Sequence, residues 1–497
     1  MKLRSILVAL AAVACIAALA LLLLPSGPER AAARARAACG SCHLFPPPAV
    51  LPRSAWRMQI EHMASLRGYL PADPGAPSPD FDVEEMVAWY ESRAPERFPA
   101  EQAQTRDAAG PLRFERRAIR LGRGSGPGVA TVGRFESMLA APNMANGSVH
   151  LLSWKRGPRL IAEAGHPARL SSGDLDGNGL DDLVIADLGD TMPTDEAAGR
   201  VLVALQTRKG DFEVRTLAEG IGRVSDVRPV DLDADGDLDL LVAAFGFLRE
   251  GGVYVLRNHS RAGELDFRSE LVSARTGAVS VIPVDDLQPG TGRGFVVAFA
   301  QHHERVSAFY PRADAVTGYE EIPLYAAPHP AWGTSHLSPA DLDGDGDLDF
   351  LLSNGDTLDD GVAFKPYHGV TWLENRGTQG FAAHPIGDLY GAHAAEAADL
   401  DGDGDLDVVA CGFLPQVALP VVSDGRRIDS VIWFERDGDE WIPWAIESDH
   451  PRHTGLHVTD LDADGRLDVV VGVNRAWDVT TVETGPSLEV WFNRGAR

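Results

Sequence analysis

The sequence predicts a mainly β chain, a seven-bladed β-propeller preceded by an apolar anchor and a small α-helical segment. Three observations predict it. Nine-residue aspartate loops recur along the chain: DLDGNGLDD from Asp174, DLDADGDLD from Asp231, DLDGDGDLD from Asp341 and from Asp399, and DLDADGRLD from Asp460. A sixth, eroded copy lies in PVDDLQPGTGRGFVVAF, with Asp285 taken as its start. The starts are then 57, 54, 56, 58 and 61 residues apart. A fixed period means repeated units that bury their apolar faces against neighbours.

The second observation is that each period reads as four short strands. In one of them VRPVD leads into the loop, LDLLVAAF follows, Gly251-Gly252 turns the chain into VYVLRN, and FRSELV closes the unit. β-branched and aromatic runs broken by Gly are strand chemistry. Six such periods, with a seventh loopless unit in Gly128 to Trp154, give a propeller over residues 128–497.

The loops point to calcium. Positions 1, 3, 5 and 9 carry Asp or Asn in every intact copy, and position 6 is Gly. Hard oxygens at alternating positions wrap a cation while Gly permits the turn. The expected ligands are Asp174, Asp176, Asn178 and Asp182; Asp231, Asp233, Asp235 and Asp239; Asp341, Asp343, Asp345 and Asp349; Asp399, Asp401, Asp403 and Asp407; and Asp460, Asp462, Asp464 and Asp468. An EF-hand would need Glu at position 12, where this chain has Ile185, Val242, Leu352, Ala410 or Val471. The eroded copy, with Gln288, Pro289 and Arg293, is not expected to complete a cage. Residues 112–497 resemble the FG-GAP/VCBS-repeat family, whose members are similar to the integrin α-subunit head. That resemblance implies seven blades loaded with calcium.

The third observation is CGSCH, Cys39 to His43. Two thiols three residues apart can attach to haem vinyl groups, and the following His supplies an axial iron ligand. The expected cofactor is covalent haem c held by Cys39, Cys42 and His43. Met58, His62, Met63 and Met86 are the candidates for the sixth ligand. CHLFPPPAVLPRSAWRMQIEHM resembles the cytochrome-like segment that precedes some bacterial FG-GAP propellers. The resemblance implies Met63 as ligand, Trp56 as haem packing and a cytochrome c-like segment over 30–95; residues 96–127, rich in Ala, Arg, Gly and Glu with little apolar periodicity, read as a linker.

Ile6 to Leu24 is an uncharged apolar run of 19 residues, long enough to span a bilayer. The expectation is a signal or transmembrane anchor over 1–25. The body then lies on the periplasmic side of a bacterial inner membrane, or is exported if the segment is cleaved. Formal charge is −27, and 23 of the aspartates lie in the five intact loops. Such acidity argues against nucleic-acid binding.

Function is expected on the propeller face away from the calcium loops. His302, His303, Glu304, Asp356, Lys365 and His368 occupy irregular segments there that the blade pattern does not require. His166, His336, His393 and His453 precede first strands and approach the same mouth. The insertion Ser353 to Gly369 resembles the NGD…KPYHG stretch of cytochrome-bearing FG-GAP proteins. The expected function is electron transfer to or from a redox partner protein or a small-molecule substrate at that mouth. The alternative is a calcium-dependent binding platform with an accessory or sensory haem.

Overall fold

The computed structural model describes residues 27–40, 44–66, 82–98, 110–122, 126–261, 264–288, 290–357, 362, 364–415, 427–474 and 485–496. They form two compact units, residues 1–97 and 98–497. The second unit is a seven-bladed β-propeller of seven four-stranded antiparallel sheets. Blade one covers 133–163, blade two 167–221, blade three 224–273, blade four 278–326, blade five 334–388 and blade six 392–448. Blade seven takes three strands from 453–496 and its outermost strand from Leu112–Ile119.

That closing strand corrects the linker expected over 96–127. Leu112–Ile119 pairs antiparallel with the C-terminal strand Leu488–Ala496, Arg116 opposite Trp491 and Ala118 opposite Glu489. Its composition, LRFERRAI, hides it from a search for apolar runs. An outermost strand faces solvent along most of its length, so charged residues suffice there.

The core lies between blades. The second strands Asp182–Asp187, Asp239–Ala244, Asp349–Asn354, Asp407–Gly412 and Asp468–Val473 are buried at every position. Each is sandwiched by the adjoining blades, which is why LDLLVAAF is continuous rather than alternating. Val184, Ala186, Val201 and Val203 of blade two pack with Val224, Val227, Leu240 and Val242 of blade three. Each fully buried Val or Leu contributes about 1.5–3 kcal/mol.

Polar stitches join neighbouring blades. Asn375 on the third strand of blade five donates to the Leu287 carbonyl of blade four at 2.9 Å. Asn493 of blade seven donates to Leu400 of blade six at 2.8 Å, and Asn258 of blade three to Leu175 of blade two at 3.5 Å. In blade six Arg436 takes that role toward Leu342.

The eroded loop begins one residue later than the sequence alignment places it. Asp285 pairs with Arg293 as Val230 pairs with Asp239, so Asp286 starts the loop and Arg293 holds the position of the ninth-position aspartate. The alignment matched the first aspartate of the pair, and the strand register selects the second.

In the first unit, α1 (Gly27–Cys39), α2 (Arg53–Leu66) and α3 (Val83–Glu91) surround an aromatic centre. Asp82 caps α3 by accepting the Glu85 N–H at 3.1 Å. Trp56, Ile60 and Ala64 recur at helical spacing on α2, and with Met86, Val87 and Tyr90 of α3 they are buried. Trp56 stacks on Tyr90 with centroids 4.0 Å apart. Arg34 ties α1 to Glu85 of α3 at 2.6 Å. Among the described residues no helix is long and apolar enough to cross a membrane. The run Ile6 to Leu24 lies outside them.

Candidate functional site

Each intact aspartate loop joins the first strand of a blade to its second. One carboxylate oxygen each from Asp174, Asp176 and Asp182 lie within 4.8 Å of one another. The same holds for Asp341, Asp343 and Asp349, and for Asp399, Asp401 and Asp407. In the loop from Asp231 the converging set is Asp231, Asp233 and Asp235, because Arg257 engages Asp239 at 2.6 Å. In the last loop Arg494 lies 2.7 Å from Asp462 and 3.5 Å from Asp464.

Backbone geometry explains the loop pattern. The fifth-position side chain accepts the N–H of the seventh residue, as Asp345 does from Asp347 at 2.8 Å and Asp403 from Asp405 at 3.1 Å. Positions 4 and 6 both adopt positive φ, for example 74° at Gly344 and 92° at Gly346. In two loops position 4 is alanine, Ala234 at 64° and Ala463 at 62°.

The ninth-position aspartates have a second role. Asp407 accepts the N–H groups of Leu400 at 3.0 Å and of Arg436, on the third strand, at 2.9 Å. Asp182, Asp349 and Asp468 make equivalent pairs of bonds. Burial pushes Asp407 up to about 7 and Asp468 up to about 6, despite those N–H donors. Carboxylates raised in this way are short of positive charge, and a hard cation would supply it.

On the opposite face the structure gathers part of the candidate set around blades four and five. Glu304, Lys365 and His368 are buried, while His302 and His303 are half-buried. Glu304 accepts the N–H groups of Gly333 at 3.2 Å and Thr334 at 2.9 Å, so it fastens blade four to the first strand of blade five. Lys365 Nζ donates to the Asp356 carbonyl at 3.0 Å. His368 Nδ1 accepts the Gly391 N–H at 3.3 Å, which leaves the proton on Nε2. That Nε2 is buried without a hydrogen-bond partner among the described residues.

The sequence reading missed three partners. The His329 ring lies 4.6 Å from Tyr367, and Tyr367 stacks on Trp332 at 5.6 Å with planes 9° apart. His329 is pushed down to about 4 by burial and by the Lys365 charge, and the same two causes hold His368 well below its usual value. Both imidazoles are therefore neutral at pH 7. The signal was available in the aromatic and His spacing of HPAWG and KPYHG, which the blade repeat does not require.

His336 and His393 lie on first strands, further into the channel than a position before those strands would place them. There they neighbour Arg169, which ion-pairs with Asp226 at 3.3 Å. His166 stays before its strand and donates its backbone N–H to Asp187 at 2.7 Å.

In the first unit Cys39 ends α1, and the Tyr90 hydroxyl is within hydrogen-bonding reach of its thiol. Cys42 and His43 lie outside the described residues. Met63 is half-buried, His62 and Met58 are exposed, and Met86 is buried on α3.

Residues 174–242 and 354–410 match the FG-GAP-like repeat. No curated protein matches the chain. Among solved structures, the Dos1 propeller is 11% identical with a TM-score of 0.42, covering 76% of this chain and 83% of that one. BBS1N in complex with ARL6DN is 10% identical with a TM-score of 0.43, covering 78% and 98%. A candidate 6-phosphogluconolactonase from Bacteroides fragilis is 15% identical with a TM-score of 0.41, covering 64% and 83%.

Proposed function

We propose that the protein is an exported haem c redox protein whose calcium-stabilised propeller receives a partner or a small substrate at the mouth around His329, Lys365 and His368. The observation that carries the first half is the placement of Cys39. The first thiol of CGSCH ends α1 against the Trp56–Tyr90 stack, in a unit where α1 and α3 are tied by Arg34 and Glu85. Cys39 and Cys42 would hold the haem through thioethers and His43 would ligate its iron, with Met63 the favoured candidate for the second side-chain ligand. When bound, the haem supplies a one-electron couple. Trp56 and Tyr90, buried and stacked on each other, would supply an apolar wall that limits water around the group.

At the mouth, the chain's own residues favour a planar or anionic guest. Trp332 and Tyr367 present stacked aromatic faces, and Lys365 brings a positive charge into a site with two neutral imidazoles. His368 Nε2–H is a donor without a protein acceptor. The five intact loops would each take one calcium ion, holding the face opposite the mouth rigid.

A reduced-minus-oxidised spectrum with a redox titration of wild type and Lys365→Met tests the reading. One covalent haem that survives acid-acetone extraction, with slower turnover by an added electron acceptor in Lys365→Met, is the expected result. Extractable haem, or none, removes the redox assignment.

A further inference from the structure

We propose that Glu447, His453 and Glu489 form a transition-metal site, independent of the aspartate loops, in the seam where the propeller closes. Glu447 ends the outer strand of blade six, Glu440–Ser448. His453 opens the first strand of blade seven, and Glu489 lies near the start of its third strand. One ligand atom from each lies within 4.8 Å of the others. All three residues are at most 5% exposed.

Three further observations point to an ion. His453 Nδ1 lies 3.1 Å from the Gly472 carbonyl, so that nitrogen donates and Nε2 is directed at Glu447, 2.6 Å away. A backbone carbonyl behind an imidazole is the outer-shell arrangement that orients a metal-bound histidine. Glu447 Oε1 is buried and accepts no hydrogen bond; the nearest side-chain nitrogens of Arg116 and His450 among the described residues are 3.6 Å and 3.8 Å away. An adjoining cavity of about 450 Å³, lined by Arg116, His450, Arg452 and His453, gives an ion a route and leaves room for water as a further ligand.

Charge balance selects the kind of ion. Arg116 contacts both Glu489 oxygens, at 2.6 and 3.1 Å, and a proton lies between His453 and Glu447. A divalent ion would replace that proton, releasing it to solvent, and would displace Arg116, whose side chain is 42% exposed and can turn outward. One imidazole and two carboxylates suit Zn²⁺, Mn²⁺ or Fe²⁺, whereas Ca²⁺ prefers an all-oxygen cage.

The test is calorimetric titration of the full-length, haem-loaded protein with Zn²⁺ in millimolar CaCl₂. The expected result is one tight equivalent. Glu447→Gln should weaken it at least tenfold, as loss of one carboxylate ligand, with an unchanged circular-dichroism spectrum. Arg116→Ala, on the outer strand, should tighten it several-fold by removing the competing cation. Cys39→Ala/Cys42→Ala should retain the equivalent, which separates this site from the haem motif. A wild type with no tight equivalent, or one that neither Glu447→Gln nor Arg116→Ala changes, overturns the proposal.

Discussion

The Arg293 guanidinium lies 3.1 Å from the Asp231 carboxylate, joining the eroded loop of blade four to the intact loop of blade three. Arg293 stands where the other loops carry their ninth aspartate, so the eroded repeat lends a fixed charge to its neighbour. The same guanidinium lies 3.4 Å from Asp285. Two loops thus carry built-in cations on ligand positions, from Arg257 and Arg293 in one and Arg494 in the other.

Removing that charge should separate two effects. Arg293→Ala is expected to destabilise the chelated protein only slightly, since both partners are partly exposed and solvent screens the pair. With calcium present the loss should shrink, and the loop from Asp231 should bind calcium more tightly. Equal losses with and without calcium, read from urea midpoints, would contradict this role.

Chelation of the whole protein should lower its melting temperature markedly, because ions bound only by the native state stabilise it by mass action. Asp343→Ala damages one loop of five and should lower it less. The loops from Asp174, Asp341 and Asp399 should fill first, since arginines occupy ligand positions in the other two. A melting temperature indifferent to chelator removes calcium from the account.

Backbone strain at position 4 gives a mutation in the opposite direction. Ala463 holds φ at 62°, a conformation costing a non-glycine residue about 1 kcal/mol, part of which glycine recovers. Ala463→Gly should therefore raise stability by about 0.5 kcal/mol, and Gly344→Ala should lower it by a similar or larger amount. Thermal melts of both variants in calcium check the sign, and a destabilised Ala463→Gly contradicts the argument.

The repeat made the propeller legible because its period, loop aspartates and Gly positions are local features. The closing strand was not, since Leu112–Ile119 becomes a blade member only by pairing with Leu488–Ala496 at the far end of the chain. The stitches by Asn258, Asn375 and Asn493 likewise join one repeat to the next and leave no pattern within a single unit. At the mouth, sequence irregularity located Glu304, Lys365 and His368 but not their environment. Irregularity carries no information on burial, and the His368 side chain is fully enclosed. His368→Ala is accordingly expected to cost about 1–3 kcal/mol, through an unfilled space and the unpaired Gly391 N–H.

Buried imidazoles should set the acid limit of the fold. His329 and His393 are pushed down to about 4, and His336 and His368 lie well below 6.5, all chiefly by burial. In the unfolded chain each takes up a proton near 6.5, while the folded protein refuses it until about 4 at His329 and His393 and until well below 6.5 at His336 and His368. The unfolded state then binds more protons, so stability is lost as pH falls from about 6.5 toward 4. Each such group contributes up to about 1.4 kcal/mol per pH unit in that window. Asp407 and Asp468 act in the opposite sense when no ion is bound, because their raised values favour the protonated folded form. Calcium should silence those two, leaving the histidines to dominate. Urea midpoints of the calcium-saturated protein should therefore fall steeply between pH 6.5 and 5, and His329→Phe should flatten that fall by about one proton. A midpoint that holds constant or rises across this range would show that these imidazoles are not held neutral by the fold.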